Sequence, residues 1–230
     1  MKRLLLIVIS ASIPCLTFAQ PARQGLFENP DKRFWGGIVA GLNCSQVDGD
    51  TYSGFHSAGL NAGGLVYWAF AKKTAASMGF MFSQKGSHGV NESYSPYGGA
   101  YYAKYKLRLN YIEVPVVLHY LFNSYLLGFD GKYLLGVGGA FNALLGSKES
   151  MEDMGSFVGF NEGDYPFNKS AFDIIGSLGL LLGGSILVEA RYQYGLTPLR
   201  DAANVPLLNM NMGGRDQFNN TMSFRLVYLF

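Results

Sequence analysis

Residues 185–196 read SILVEARYQYGL, and this stretch decides the fold. Its apolar side chains recur at every second position from Ile186 onward. The polar residues Glu189, Arg191 and Gln193 share the opposite parity. A helix would scatter these polar residues around its circumference, whereas a β-strand separates the two sets onto opposite faces. The pattern therefore predicts a strand with one apolar and one polar face.

The same alternation continues through most of the chain and predicts eight strands. They cover residues 34–44, 55–68, 75–85, 101–122, 132–147, 171–182, 185–196 and 221–230. Each is long enough to cross a hydrocarbon core as a tilted strand, which takes roughly 9 to 11 residues. We therefore predict an all-β fold, an eight-stranded antiparallel up-and-down transmembrane β-barrel over residues 34–230.

The connections between these strands alternate in length. Segments 45–54, 86–100, 148–170 and 197–220 are long, and segments 69–74, 123–131 and 183–184 are shorter. Outer-membrane barrels have short periplasmic turns and long extracellular loops. If the first strand starts in the periplasm, every long loop falls outside and both chain termini fall inside.

Segment 101–122 is the least regular. Its first half has apolar residues at odd positions such as Leu107 and Leu109, and its second half has them at even positions such as Val116 and Leu118. We interpret the change as a β-bulge near Ile112. A break between two strands is the alternative.

Composition agrees with a barrel that exposes apolar side chains to lipid. Charged residues make up 15% of the chain, against about 25% in ordinary soluble domains. The net charge of +2 and the missing basic groove give no reason to expect nucleic acid as a partner.

The N-terminus has the pattern of a secretory signal. Lys2 and Arg3 precede an apolar stretch that ends in small residues, so we expect residues 1–19 to be removed after Ala19, with residues 20–33 as a periplasmic lead. A membrane anchor is the alternative, but the stretch is too short and Pro14 interrupts it. Cleavage discards Cys15 and leaves Cys44 as a single thiol.

Several local strings resemble the PorT-like outer-membrane β-barrel family. They are residues 111–115 (YIEVP), 187–192 (LVEARY), 194–196 (YGL) and the terminal alternation that ends in Phe230, and the resemblance covers residues 34–230. It implies an outer-membrane location. Some members of that family are associated with protein secretion across the outer membrane, and many have no assigned activity.

The final strand resembles the one that the outer-membrane assembly machinery recognises, with a terminal aromatic preceded by apolar residues at alternate positions. We interpret it as an assembly signal formed by Met222, Phe224, Leu226, Tyr228 and Phe230. This machinery is then one expected partner, and outer-membrane lipid and lipopolysaccharide are others. An ordinary last strand is the alternative, and both interpretations can hold.

Charged residues on the polar parity should point into the lumen. We predict a lumen charge network formed by Arg108, Glu113, Asp173, Glu189, Arg191 and Arg225. The interior of an eight-stranded barrel is just wide enough to be filled by side chains, so paired charges and a closed pore are expected. A proton or ion path along the same groups is the alternative.

Nothing in the sequence predicts catalysis, a cofactor or a metal site. His56, His88 and His119 are widely separated and lack metal-ligand spacing. Ser87 and His88 at the outer rim leave an outer-membrane hydrolase as a minor alternative. The predicted loops are acidic and aromatic, which is compatible with binding a protein, a glycan or a divalent ion.

The leading hypothesis is a non-enzymatic outer-membrane barrel that interacts through its extracellular loops, with an envelope or secretion assembly as its setting and an envelope protein as a candidate partner. A narrow solute channel is the runner-up. A soluble lipocalin-like barrel would reverse the two faces, and parity alone does not distinguish inside from outside.

Overall fold

The computed structural model describes residues 26–27, 31–50, 52, 54–94, 100–126, 128–153, 165–205 and 215–230. The predicted signal segment 1–19 lies outside these residues, and so does most of the predicted lead. Among the described residues, no helix is both long enough and apolar enough to cross a membrane.

Eight antiparallel strands close into a barrel in which each strand pairs with its neighbours in sequence and the last pairs with the first. This confirms the predicted fold class and strand order. The strands are β1 (Phe34–Asp48), β2 (Ser57–Ala71), β3 (Thr74–Tyr94), β4 (Ala100–Leu126), β5 (Phe129–Asp153), β6 (Ser170–Leu182), β7 (Ile186–Gly195) and β8 (Phe218–Leu229).

The two faces of the wall are those that the sequence predicts. On β7, Tyr192 points outward while Glu189 points into the barrel. On β8, Phe224 points outward and Arg225 points inward. This orientation excludes the lipocalin-like alternative, in which apolar residues would face the interior. Apolar outward-facing side chains form a belt around the barrel, and we call it the outer belt.

The outer belt includes residues from all eight strands. Members with large exposed side chains are Ile38, Leu42, Leu60, Val66, Met78, Phe80, Val116, Leu118, Leu135, Val137, Phe172, Ile174, Val188, Tyr192, Phe224 and Leu226.

Three strands are longer than predicted and project beyond the rest of the barrel. The β2–β3 pairing ends at Ser83, and the β5–β6 pairing ends at Ala143. The β3–β4 and β4–β5 ladders nevertheless continue to Tyr94 and Asp153. At about 3.4 Å per residue, this three-stranded extension continues for on the order of 30 Å along the strand direction beyond those pairings. We call it the projecting sheet, and the end of the barrel that carries it the loop end.

The predicted change of face on β4 near Ile112 is wrong. Odd-numbered residues of β4 point inward without interruption from Tyr105 to Leu121. The irregularity lies on the partner strand instead, where Asn110 pairs with Gly146 and Tyr111 with Leu144, so that Leu145 is the extra residue. The change of apolar parity on β4 has another cause, because its inward side chains in the projecting sheet pack beneath loops.

Candidate functional site

The opposite end of the barrel, which we call the turn end, is closed by apolar side chains. Trp35, Tyr67, Leu134 and Leu229 belong to this buried cluster, and Leu26 enters it from the N-terminal lead. The backbone N–H of Leu26 donates to the carbonyl of Gly184 at 3.1 Å, which fixes Leu26 at this end of the barrel.

An ionic chain crosses the lumen above this cluster. Lys85 Nζ lies 2.6 Å from Asp173 Oδ2 and 3.3 Å from Glu113 Oε2. Arg191 then links Glu113, at 3.8 Å, to Glu189, at 3.2 Å. All of these side chains are at most 2% exposed. Burial of this depth requires paired charges, because an isolated ion in a low-dielectric interior is very costly.

The ionic chain ends at Arg225, and neutral side chains complete its hydrogen bonds. Arg225 NH2 donates to Glu189 Oε2 at 2.7 Å. Gln193 Nε2 donates to Glu113 Oε1 at 2.9 Å, and Lys85 Nζ donates to Asn142 Oδ1 at 3.1 Å. The formal charge of the ionic chain is zero, because its carboxylates are matched by Lys85 and the arginines.

The structure thus brings together five of the six residues predicted for the lumen network: Glu113, Asp173, Glu189, Arg191 and Arg225. The sixth prediction is wrong, because Arg108 points outward from β4 and is exposed. Lys85 fills the cationic position that the prediction missed. Its parity could have revealed it, since Lys85 follows the inward residues Met81 and Ser83 at two-residue spacing.

A second apolar cluster fills the loop end. The inward side chains Tyr105, Leu107 and Leu109 of β4 pack there with Tyr52 of the first loop and Leu199 of the last. Tyr52 and Tyr105 stack with ring centroids 5.0 Å apart and planes 6° apart. Side chains therefore occupy the lumen at both ends as well as in the middle.

Arg200 and Glu149 fasten the last loop to the projecting sheet. The guanidinium donates from NH1 to Glu149 Oε1 at 3.1 Å and from NH2 to Oε2 at 2.6 Å. Tyr105 Oη donates to the same carboxylate at 2.6 Å, and the Arg200 guanidinium lies 3.7 Å from the centroid of the Phe167 ring. We call this arrangement the Glu149–Arg200 clasp. Sequence reasoning missed it, because Arg200 lies in a segment without periodicity.

The first loop is fastened by Asp50. Its carboxylate accepts from Ser87 Oγ at 2.7 Å and from the backbone N–H of Tyr52 at 2.9 Å. Burial raises the pKa of Asp50 from 3.8 to about 6, although both hydrogen bonds favour the ionised form. Close packing is possible because Gly89 leaves room, since a Cβ there would lie 2.5 Å from the Tyr52 ring.

Cations lie on the outer face of the projecting sheet. Lys106, Arg108 and Lys148 are exposed there, and Arg108 pairs directly with Lys148 across β4 and β5. Two of the predicted acidic loop residues, Glu149 and Asp50, are buried and engaged in hydrogen bonds. Among the side chains of this face that the structure describes, the exposed charges are positive.

The histidines form no site together. Ser87 and His88 are adjacent on β3 and so point to opposite faces, with Ser87 bonded to Asp50. His119 lies inside the barrel with its Nε2 2.8 Å from Ser77 Oγ, and His56 is exposed before β2. Within the described ranges, no three His, Cys, Asp or Glu side chains are arranged to hold a metal ion.

The predicted assembly strand is the closing strand of the barrel. The five side chains of the predicted signal point outward, and they are Met222, Phe224, Leu226, Tyr228 and Phe230. The backbone N–H of Phe230 donates to the carbonyl of Gly36 at 2.9 Å, next to the ladder in which β8 pairs with β1. Recognition by the assembly machinery stays a prediction.

A closed antiparallel ring with an apolar outer belt and a charged, filled interior defines a transmembrane β-barrel. The model of the family described as "Outer membrane protein beta-barrel domain" matches residues 18–201, and the chain belongs to this family. The protein is located in the outer membrane. On the rule that long loops lie outside, we expect the loop end to be extracellular and the turn end to be periplasmic.

Similar solved structures are barrels of bacterial outer membranes. The attachment invasion locus protein Ail of Yersinia pestis is 13% identical, with 86% of this chain and 100% of Ail covered and a TM-score of 0.38. Neisserial surface protein A is 10% identical, with coverages of 86% and 97% and a TM-score of 0.40. OprG from Pseudomonas aeruginosa is 10% identical, with coverages of 86% and 96% and a TM-score of 0.38. No curated protein matches the chain.

Proposed function

We propose that the protein is a non-enzymatic interaction protein of the outer membrane. The filled barrel serves as an anchor, and the projecting sheet presents its outer face to an envelope protein with an acidic surface. The observation that carries the proposal is the continuation of β3, β4 and β5 beyond the barrel as one hydrogen-bonded sheet.

Rigidity supports a binding role for this sheet. Its inner face is packed under Tyr52 and Leu199, and the Glu149–Arg200 clasp joins it to the last loop. A surface that is ordered before binding loses less conformational entropy when a partner arrives. The projecting sheet is therefore better suited to recognition than an isolated flexible loop would be.

The charge on the outer face supports an acidic partner. Arg108 and Lys148 are directly opposite each other in the β4–β5 ladder, and Lys106 lies two residues along β4. Like charges in opposed positions destabilise a sheet. An anionic partner would relieve this repulsion, and charge complementarity would also increase its association rate.

The resemblance to PorT-like barrels gives a finer version of the proposal. Some members of that family are associated with protein secretion, so a secretion assembly is one setting in which the acidic partner would be found. The proposal itself rests on the projecting sheet and does not require that setting.

Site-specific photo-crosslinking in intact cells tests the proposal. A photoreactive residue would replace Lys106 or Arg108 on the outer face, and Val116 or Leu118 as matched controls on the same strand and the same face within the outer belt. We expect discrete protein adducts from the first pair only. Adducts of equal yield from both pairs, adducts with lipopolysaccharide alone, or no adducts would contradict an envelope protein partner.

A further inference from the structure

A cleft of about 370 Å³ opens at the periplasmic turn end, between the N-terminal lead and the turn that joins β2 to β3. Its lining combines cations with apolar side chains. The lining residues are Phe27, Lys32, Arg33, Ala69, Phe70, Ala71 and Lys72.

The charge of this cleft is positive. Lys32, Arg33 and Lys72 are exposed around it, and Lys73 continues the turn. Lys32 Nζ also lies 3.9 Å from the centroid of the Trp35 ring, which orients its ammonium group. Asp31 is the neighbouring carboxylate, so cations outnumber acidic groups among the described residues here.

The cleft lies beside an aromatic group on the outer wall. Phe34 and Trp68 stack with centroids 6.4 Å apart, and Trp68 contacts Phe70 with centroids 5.4 Å apart. Exposed aromatic side chains on membrane proteins concentrate at the level of the lipid headgroups. Arg33 and Lys72 lie next to this aromatic group on its periplasmic side. Headgroup phosphates of the inner leaflet lie at that level.

The walls of the cleft are fixed in place. The backbone N–H of Ala69 donates to the carbonyl of Arg33 at 2.7 Å and so ties the two sides together. Phe27 has a φ of 69°, a left-handed conformation that is costly for a bulky residue. Its neighbour Leu26 is buried in the turn-end cluster. Burial of Leu26 thus holds the adjoining Phe27 in place even though Phe27 is strained.

We propose that this cleft binds the headgroup phosphate of an anionic phospholipid from the inner leaflet. Lys32, Arg33 and Lys72 would surround the phosphate, and Phe27 and Phe70 would contact the apolar part of the lipid. Basic pockets at membrane interfaces bind acidic headgroups in this way. The site is independent of the projecting sheet and at the other end of the barrel.

Native mass spectrometry of the folded protein tests this site. The protein in detergent micelles would be offered phosphatidylglycerol and phosphatidylcholine in equal amounts. We expect retention of phosphatidylglycerol in preference to phosphatidylcholine. The variant K32Q/R33Q/K72Q should lose this preference by about fivefold for each cation removed, from roughly 1 kcal/mol for each basic residue near a membrane surface.

The matched control is K106Q/R108Q/K148Q, which removes the same charge from the projecting sheet. It should keep the wild-type preference, and a heat-induced gel shift would verify that both variants fold. Equal loss in both variants, or no preference in the wild type, would overturn the proposal. Displacement by glycerol phosphate at the same concentration as the lipid would also overturn it, because the cleft would then be a site for soluble anions.

Discussion

Arg200 and Glu149, which are 51 positions apart in sequence, form a bidentate ion pair with N–O distances of 3.1 and 2.6 Å and fully buried side chains. The pair joins the last extracellular loop to the projecting sheet. Two parallel charge-assisted bonds fix orientation as well as distance. Loop position at this end of the barrel is therefore set by a specific contact.

Replacing Arg200 with Leu should release the last loop. Glu149 would keep the Tyr105 hydrogen bond but lose the bidentate ion pair with Arg200, and breaking a buried ion pair from one side costs about 3 to 5 kcal/mol. Limited proteolysis of the folded protein should then cleave between residues 197 and 217 much faster. The exposed Arg215 in the same loop provides the control, and Arg215→Leu should leave the cleavage rate unchanged. Equal rates in both variants would show that the clasp does not hold the loop.

Replacing Lys85 with Met should destabilise the barrel. Asp173 and Glu113 would both lose their nearest cation in the interior, and we expect a loss of about 3 kcal/mol or more in the free energy of unfolding. Urea unfolding in lipid vesicles measures it. Adding Asp173→Asn should recover part of the loss. Arg108→Met, on the outer face, should leave the unfolding midpoint unchanged, and the reverse ranking of these single variants would contradict the ionic chain.

The first loop should close more tightly as the pH falls. Asp50 has a pKa of about 6 in the closed loop and the ordinary value of 3.8 once exposed, so the closed form binds a proton more readily. Closure therefore gains up to roughly 1.4 kcal/mol for each pH unit between these values. The full gain is reached below pH 3.8, the ordinary pKa of the exposed carboxyl, and the gain is lost as the pH rises through 6. Hydrogen exchange of β1–β2 loop amides, corrected for intrinsic rates, should show fewer opening events at pH 5 than at pH 7.5.

The control for this pH effect is Asp50→Asn, which cannot titrate. Its loop should open to the same extent at both pH values. If the pH dependence persists in this variant, another group is responsible.

Phe230→Ser should reduce assembly in cells without weakening the folded barrel. The side chain is 48% exposed and lies on the outer wall, so its removal leaves no cavity in the lumen. We expect less folded protein in the outer membrane but an unchanged unfolding midpoint after refolding in vitro. Tyr192→Ser, an outward aromatic on β7, should leave the assembled fraction unchanged. Equal assembly of both variants would contradict the assembly signal.

Purified protein in planar bilayers should give no discrete conductance steps. Apolar clusters occupy both ends of the lumen, and the ionic chain lies between them. Reproducible steps from the wild type would instead favour the narrow channel. Steps from Lys85→Met alone would indicate that the ionic chain closes the lumen.

Much of this fold could be predicted from the sequence because one face of each strand contacts lipid. Apolar residues such as Val188 and Tyr192 on β7 and Phe224 on β8 therefore recur at every second position. This pattern predicts where the strands lie and which charged side chains face inward. The same logic failed for Arg108. In the projecting sheet there is no lipid, so the apolar parity of β4 marks the inner face, which packs beneath Tyr52 and Leu199.

The contacts of the loop end could not be predicted in the same way. Arg200 meets Glu149 because the first residues of the last loop, with Leu199, pack against the inward side chains of β4, and no local periodicity encodes that path. Lys85 differs, because it lies two residues after the inward-facing Ser83 and its inward orientation could have been predicted from that spacing. It was missed because the predicted strand ended at that residue, where a charge looks like the beginning of a loop.

Leu145 gives β5 a position at which the strand can lose one residue without exchanging its two faces. Below this extra residue, even-numbered side chains such as Asn142 face the lumen, and above it odd-numbered ones such as Glu149 do. Deleting Leu145 would restore a regular ladder and keep Glu149 opposite the inward-facing Leu107, whereas deleting Ser147 would turn Lys148 inward at the level where Arg200 now finds a carboxylate. The same change made two positions further along β5 would thus exchange an attraction for a repulsion, although no charged residue had been mutated.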